Sequence, residues 1–323
     1  MRLRTRRLSR FVAWPSCLAW GLFVQLWAPQ LRAQSPEDTA FEPTVAQAPA
    51  QPTAPQAPPG ITHGGTADPR ALANEANNPA APLTLIQIRD VLLPNVGGPD
   101  GAANLFQVQP VLPMGPFSWF PFVQLMKISL QVPTLPAPVS ETGFGDLSVF
   151  DLVSIKESWG RWGFGPALVF PTASSSDLGA GKWQVGPAVA VIYTGIHNLA
   201  AGAVLQNPVS VAGSADRAKV NSLIVTPTLT YSLKKGWFAG LADFNWTFDW
   251  EDGGAATIPL GIQVGKILRL GHQPVNISVE FGRSVARPAG TADPGWILGF
   301  EFSPIFSWHL GPGQKVHLRG PKQ

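Results

Sequence analysis

Between Phe238 and Trp250, Asp243, Asn245, Thr247 and Asp249 recur at every second residue. Thr226, Thr228 and Thr230 repeat that spacing, and so do Asn276, Ser278 and Glu280. A period of two puts such residues on one face of a β-strand. With Gln263 and Glu301 they make a set of hydrogen-bonding and acidic groups suited to lining an enclosed polar space. Nothing in the set pairs a nucleophile with a base, which covalent catalysis needs. The chemistry it offers is solvation and selection of a small solute. The expectation is therefore no enzyme, no cofactor and no metal.

Other chemical signals are weaker. "GAGKW" at 179–183 holds a Gly-Lys pair, but it lacks the phosphate-loop spacing, and Trp183 follows the lysine where a hydroxyl would bind magnesium. Lys182 is expected at a loop–strand junction near the head-group level. His63, His197, His272, His309 and His317 show no metal-ligand spacing on one face, and His197 reads as a turn histidine. "NWT" at 245–247 and "NIS" at 276–278 match the glycosylation pattern by chance, since both fall inside strands.

The elements that carry these residues are alternating runs. Strands are expected at about 83–92, 104–112, 122–132, 145–155, 162–171, 183–193, 197–207, 222–233, 237–250, 258–267, 273–284 and 296–304. Their second face is apolar. Val275, Ile277, Val279 and Phe281 oppose the polar set of their strand, and Phe238, Phe244, Trp246, Phe248 and Trp250 oppose Asp243 to Asp249. Aromatics collect near strand ends, where interface girdles sit: Trp162, Trp183, Tyr193, Trp237 and Trp250, with Phe281, Phe300 and Phe302 added. Lys266, Arg269 and Arg283 fall at the rims. Long and short connections alternate, as in "SSSDLGAGK" and "LKKGW".

A soluble sandwich would bury the apolar face and has no reason to alternate its loop lengths. An even strand count, alternating loops and end-loaded aromatics predict an all-β fold, an antiparallel transmembrane barrel of about twelve strands with its apolar face toward lipid and its polar face inward. Pro166, Pro187 and Pro227 lie within strands, where a missing donor suggests bulges.

Composition supports this. Charged residues are 13% of the 323, and there are 12 Trp and 18 Phe. One Cys excludes a disulfide framework. Arg2, Arg4, Arg6, Arg7 and Arg10 precede the apolar run Phe11 to Ala28 and a small-residue site at "LRAQ". That order describes a signal peptide over residues 1–33, although the run could also remain as an anchor. Its removal takes six Arg and no acid, so 23 − 6 = 17 bases face 20 acids, a net charge of about −3. Nucleic acid is not an expected partner. Residues 34–78, rich in Pro, Ala and Gln, are expected to be disordered in the periplasm. The barrel would span 79–308, and 309–323 form a basic tail.

The stretch "GFGDLSVFDLVSIKESWGRWGFGPALVFPTASSSDLGAGKWQVGPAVAVIYTG", with "SADRAKVNSLIVTPTLTY", "WTFDWED", "IPLGIQVGKILRLGHQPVNISVEF" and "ARPAGTADPGWILGFEF", resembles the bacterial outer-membrane barrels related to MetA-pathway phenol-degradation proteins. Members are often labelled "transporter" or "neuromedin U". The resemblance covers roughly residues 78 to 303. It implies an outer-membrane location, lipid and the barrel-insertion machinery as partners, and a small-molecule solute that is hydrophobic or aromatic. It offers no catalytic residues. The chain departs from the pattern in its Pro/Gln-rich segment and in the tail "HLGPGQKVHLRGPKQ", which follows the aromatic terminal strand. The leading reading is a passive channel. The alternative is a non-conducting scaffold or adhesin that binds partners through its loops.

Overall fold

The computed structural model describes residues 69–96, 101–288 and 295–306. The expected signal peptide, most of the Pro/Ala/Gln-rich segment and the basic tail lie outside the described residues. One short helix, α1 (Pro69–Ala76), precedes the strands β1 (Thr84–Leu93), β2 (Ala103–Met114), β3 (Val123–Thr134), β4 (Leu147–Glu157), β5 (Gly160–Phe170), β6 (Lys182–Tyr193) and β7 (Leu199–Gln206). They continue with β8 (Val209–Gly213), β9 (Ser222–Ser232), β10 (Trp237–Leu241), β11 (Trp246–Asp249), β12 (Ala255–Leu270), β13 (Gln273–Ala286) and β14 (Trp296–Phe306).

These fourteen segments make twelve staves, because β7 with β8 and β10 with β11 each form one. All pairings are antiparallel between neighbours, and β1 pairs with β14 to close the cylinder. Closure removes the sheet edges except along β8, which pairs with β6 alone apart from a single bridge to Asn221. Short connections such as 158–159, 194–198, 233–236 and 271–272 lie at one end, the end where β1 starts and β14 finishes. The longer ones lie at the other, while "GPFSWFPF" at 115–122 is a longer turn at the short-turn end.

The two divided staves differ in cause. Ala188 pairs with Gln206 and Val185 with Val209, so the register is unchanged across 207–208. The ladder lapses there because Pro187 and Pro208 have no N–H to give. Pro166 and Pro187 stand opposite each other, and Pro227 opposite Ala203, without any shift. The bulges expected at these prolines are absent. Shifts occur instead at Trp183/Gln184 and Ile258/Pro259.

The β10–β11 stave carries a true slip. Leu241 pairs with Ile262 but Thr247 with Thr257, and toward β9 Gly240 pairs with Thr230 but Thr247 with Ile224. One extra residue sits in 242–245. Because side chains alternate, a one-residue slip exchanges the two faces. This corrects the reading of Phe238 and Phe244 as outward residues. Phe238 is fully buried inside the barrel, and Phe244 joins an inner cluster with Ala242, Ile297 and Val91. Only above the slip do the even-numbered residues turn outward, and Trp250 is exposed there.

The inner glycines are shaped to these two rings. A Cβ on Gly265 would meet Phe238 Cε1 at 2.7 Å, and a Cβ on Gly282 would meet Phe244 Cε2 at 2.7 Å. No side chain larger than hydrogen fits beneath either ring.

The outer wall is apolar and exposed, with Ile262, Val264, Val279, Phe281 and Val285 among its residues. Val275, on the same face near the short-turn end, is buried. An apolar band this extensive on a closed barrel fits a β-barrel membrane protein. Among the described residues, no helix is long and apolar enough to cross a membrane.

The remaining surprise is α1, which falls in the stretch expected to be disordered. Pro69 is well placed in a first helical turn, and Leu72 and Ala73 put an apolar side on the chain. These pack with Leu83, Leu85, Phe238, Ile267 and Ile305 at the short-turn mouth. Asn78 Oδ1 then accepts from Ala80 N at 2.9 Å and turns the chain toward the opposite wall. There Ala80 packs on Leu152, Ala188, Ala190 and Ile192, and Ser154 Oγ donates to Ala80 O at 2.9 Å. Residues 69–83 thus stretch across the mouth as a plug. The composition of 34–78 concealed this, since two apolar residues suffice when a ready-made pocket receives them.

Candidate lumenal site

Above the plug lies a cavity of about 220 Å³. It is the barrel lumen, and residues of β1–β5, β7, β9, β10 and β12–β14 line it together with Glu75, Asn77 and Asn78 of the plug region.

Its wall is held by one buried cation. Arg89, 7% exposed, projects inward from β1. Its Nη2 donates to Glu280 Oε2 at 2.7 Å and to the carbonyl of Asp243 at 3.0 Å. Glu301 Oε2 lies 3.8 Å from Nε, and Asp243 Oδ2 lies 3.7 Å from Nη1. Glu280 Oε1 accepts from Asp243 N at 3.2 Å, and Glu301 Oε1 accepts from Ser303 Oγ at 2.6 Å and from Asn276 Nδ2 at 3.4 Å. Three carboxylates therefore surround one guanidinium; Glu280 and Glu301 each have a further donor, and the Asp243 carboxylate, 28% exposed, borders the cavity. Burying such charges is tolerable only when their remaining lone pairs are satisfied.

The slip in β10–β11 and this cluster explain each other. The extra residue frees the backbone of Asp243 from the ladder, and Arg89 and Glu280 take up the released carbonyl and N–H. The kink positions Asp243 and Asn245 at the cavity.

The inward row on β1–β3 is rich in amides. Gln87 pairs with Gln109, Arg89 with Gln107, and Gln107 with Gln131. Across the cylinder, Thr226, Thr228 and Thr230 line the cavity from β9, and Gln263 Nε2 donates to Thr230 Oγ1 at 3.4 Å. Apolar side chains complete the wall, including Leu125, Phe150, Val204 and Leu241. Lys127 also lines it, and its ammonium makes no hydrogen bond or ion pair among the described residues. Gln109 Oε1, Asn276 Oδ1 and Ser278 Oγ are buried and have no partner among the described residues.

Of the residues read from sequence as lumenal, Asp243, Asn245, Thr226, Thr228, Thr230, Gln263, Asn276 and Glu301 line this cavity. Glu280 lies behind them on Arg89, and Ser278 is buried beside Glu301. Thr247 and Asp249 lie beyond the slip toward the long loops, where Asp249 Oδ1 accepts from Glu251 N at 3.0 Å. Arg89, Lys127 and the four glutamines were not singled out. Their signal was present, because Gln87–Arg89, Gln107–Gln109 and Lys127–Ser129–Gln131 each repeat at period two.

The aromatics expected at the interfaces divide into two groups. Trp183, Tyr193, Trp237 and Trp250 are exposed at or beside strand ends, and Trp162 is half-buried near the start of β5. Phe281 and Phe300 are exposed but, like half-buried Phe302, lie well inside their strands. Lys266 sits 4.9 Å over Trp237 and Arg283 5.8 Å over Trp296, which anchors a cation at each rim. Lys182 stands at the expected loop–strand junction, as the first residue of β6, but it is buried there and its ammonium donates to Ser214 O. His197 occupies the short connection between β6 and β7, as expected.

The long loops are tied to one another. Asp146 accepts from Ala173 N at 3.2 Å and Ala180 N at 2.7 Å. Arg217 donates to Ser176 O at 2.5 Å, to Ala180 O at 3.4 Å and to Gly179 O.

Neither the family models nor the curated proteins contain a match to this chain.

Proposed function

We propose that the chain is an outer-membrane channel for small solutes, closed in this structure by its own residues 69–83. The observation that carries this reading is the stack of two features along one axis: a solute-sized cavity with polar and apolar walls, and beneath it a peptide plug held by few bonds. A barrel whose only task was to hold loops in place would gain more from a packed interior. On this reading the short turns and α1 face the periplasm and the tied loops face outward. Lipid surrounds the apolar wall, and the solute crosses by diffusion without nucleotide or covalent chemistry. The resemblance to the phenol-degradation group supports a transport role and points to hydrophobic or aromatic cargo.

Ala73 provides the test, because it is fully buried in the plug. Ala73→Glu places a charge in that contact and should expel α1. In planar bilayers the unaltered chain is expected to open rarely, and the variant to give long, reproducible conductance steps. Silence from both, with barrel folding verified by heat-dependent gel mobility, would refute the channel and favour the scaffold reading.

A further inference from the structure

The lumenal wall is specific about what it would bind. Its charges are largely spent on one another: Arg89 is engaged by Asp243, Glu280 and Glu301. Acids and Lys127 both face the cavity, so neither an anion nor a cation meets a surface of one sign. What remains is neutral hydrogen-bonding capacity on facing walls, amides on β1–β3 and hydroxyls on β9. Gln109 and Asn276, 6% and 4% exposed, line the cavity with amides whose oxygens are turned into the wall, where no donor among the described residues reaches them. A buried acceptor without a donor costs about 1–3 kcal/mol, and a turn of either amide toward a ligand that brings hydroxyl groups recovers that loss. Between the polar walls Phe150 of β4 and Val204 of β7 present an apolar strip, and Leu125 and Leu241 add apolar surface from β3 and β10. At roughly 30 Å³ per water the cavity has room for about seven waters, the space of one ring-sized molecule.

We propose that this cavity binds a small neutral polyhydroxylated solute of monosaccharide size, its hydroxyls meeting Gln107, Gln109, Asn276 and Thr228 and its C–H face meeting the apolar strip. This keeps the channel reading but replaces the hydrophobic or aromatic cargo that the resemblance implies with a polyhydroxylated one, and it rests on that reading only for the route of entry. An aromatic hydrocarbon would cover the apolar strip but leave the amide carbonyls unpaired.

The test is saturation-transfer NMR on the full chain refolded in micelles, with D-glucose and myo-inositol as probes against phenol and choline at matched millimolar concentrations. Saturable signals are expected from the two polyols. Gln109→Leu should weaken them about five- to tenfold, the worth of one hydrogen bond. It should not lower barrel stability in urea, because it removes an acceptor that lacks a donor. Thr228→Val provides a second variant with the same expected loss at near-constant shape. Saturable binding of phenol or choline in place of the polyols overturns the inference. So does polyol binding that neither variant weakens. Polyol binding by a chain that never conducts supports the site and refutes the channel alone. Conductance without polyol binding overturns the site alone.

Discussion

Replacing Arg89 by methionine would expose how much of the barrel's stability depends on one side chain. The guanidinium is 8% exposed, and its carboxylate partners Glu280 and Glu301 are 1% and 7% exposed at their side chains. One contact, 2.7 Å to Glu280, is a charged hydrogen bond. Those at 3.7 and 3.8 Å act by charge alone. Methionine fills much the same volume, so the cavity term is small and the loss is electrostatic. Removing one partner of a buried ion pair costs about 3–5 kcal/mol. Here three acids lose the cation that holds them together, and Asp243 also loses the donor to its carbonyl. The upper part of that range is expected, about 4–5 kcal/mol. Arg89→Lys keeps the charge but not the forked donors, and should cost about 1–2 kcal/mol less than methionine. Adding Glu280→Gln to Arg89→Met should restore part of the loss, because contacting residues do not behave additively. The assay is urea unfolding in lipid vesicles, followed by tryptophan fluorescence. A loss below about 1 kcal/mol for Arg89→Met, with an unchanged denaturant slope, would mean that the acids are not confined by this cation. The account of the slip in β10–β11 would fall with it.

Two further outcomes follow from contacts at the ends of the barrel. Gly265→Ala drives a methyl into Phe238 Cε1 and should destabilise the barrel by about 1–3 kcal/mol. Phe238→Leu in the same chain should relieve part of that cost, as read from paired urea midpoints. At the other end, Arg217→Ala frees the carbonyls of Ser176, Gly179 and Ala180 together. Limited proteolysis of intact vesicles should then cut within 174–181 faster than in the unaltered chain, with the barrel core still protected. Equal cutting rates would mean that Arg217 does not order the loop.

Much of the fold was legible because it depends on a local rule. Thr226–Thr230 and Asn276–Glu280 alternate with apolar neighbours, and a two-residue period survives in almost every strand. Twelve staves could be counted from that period and from the turns between them. The failures arose where a non-local contact overrode the period. Ala242 through Trp250 alternates without a break in sequence, yet the chain spends one residue at 242–245 and exchanges faces. Nothing within that stretch announces the slip. Its cause is Arg89, more than 150 positions away, which waits for the carbonyl of Asp243. The plug was hidden for a similar reason. Leu72 and Ala73 are too few to suggest a buried element, and only the assembled mouth makes them sufficient. Pro166 and Pro187 misled in the opposite direction, since each proline's missing donor is absorbed without a change of register.

The plug is covalently joined to the barrel that it closes, since residues 77–83 run directly from α1 into β1. A short tether fixes an effective concentration in the millimolar range or above, whatever the concentration of protein in the membrane. A free peptide of the same sequence would have to reach that level before it displaced the plug. On the proposed channel reading the closed state is thus insensitive to dilution, and opening must weaken the contact itself or pull on the chain that precedes it.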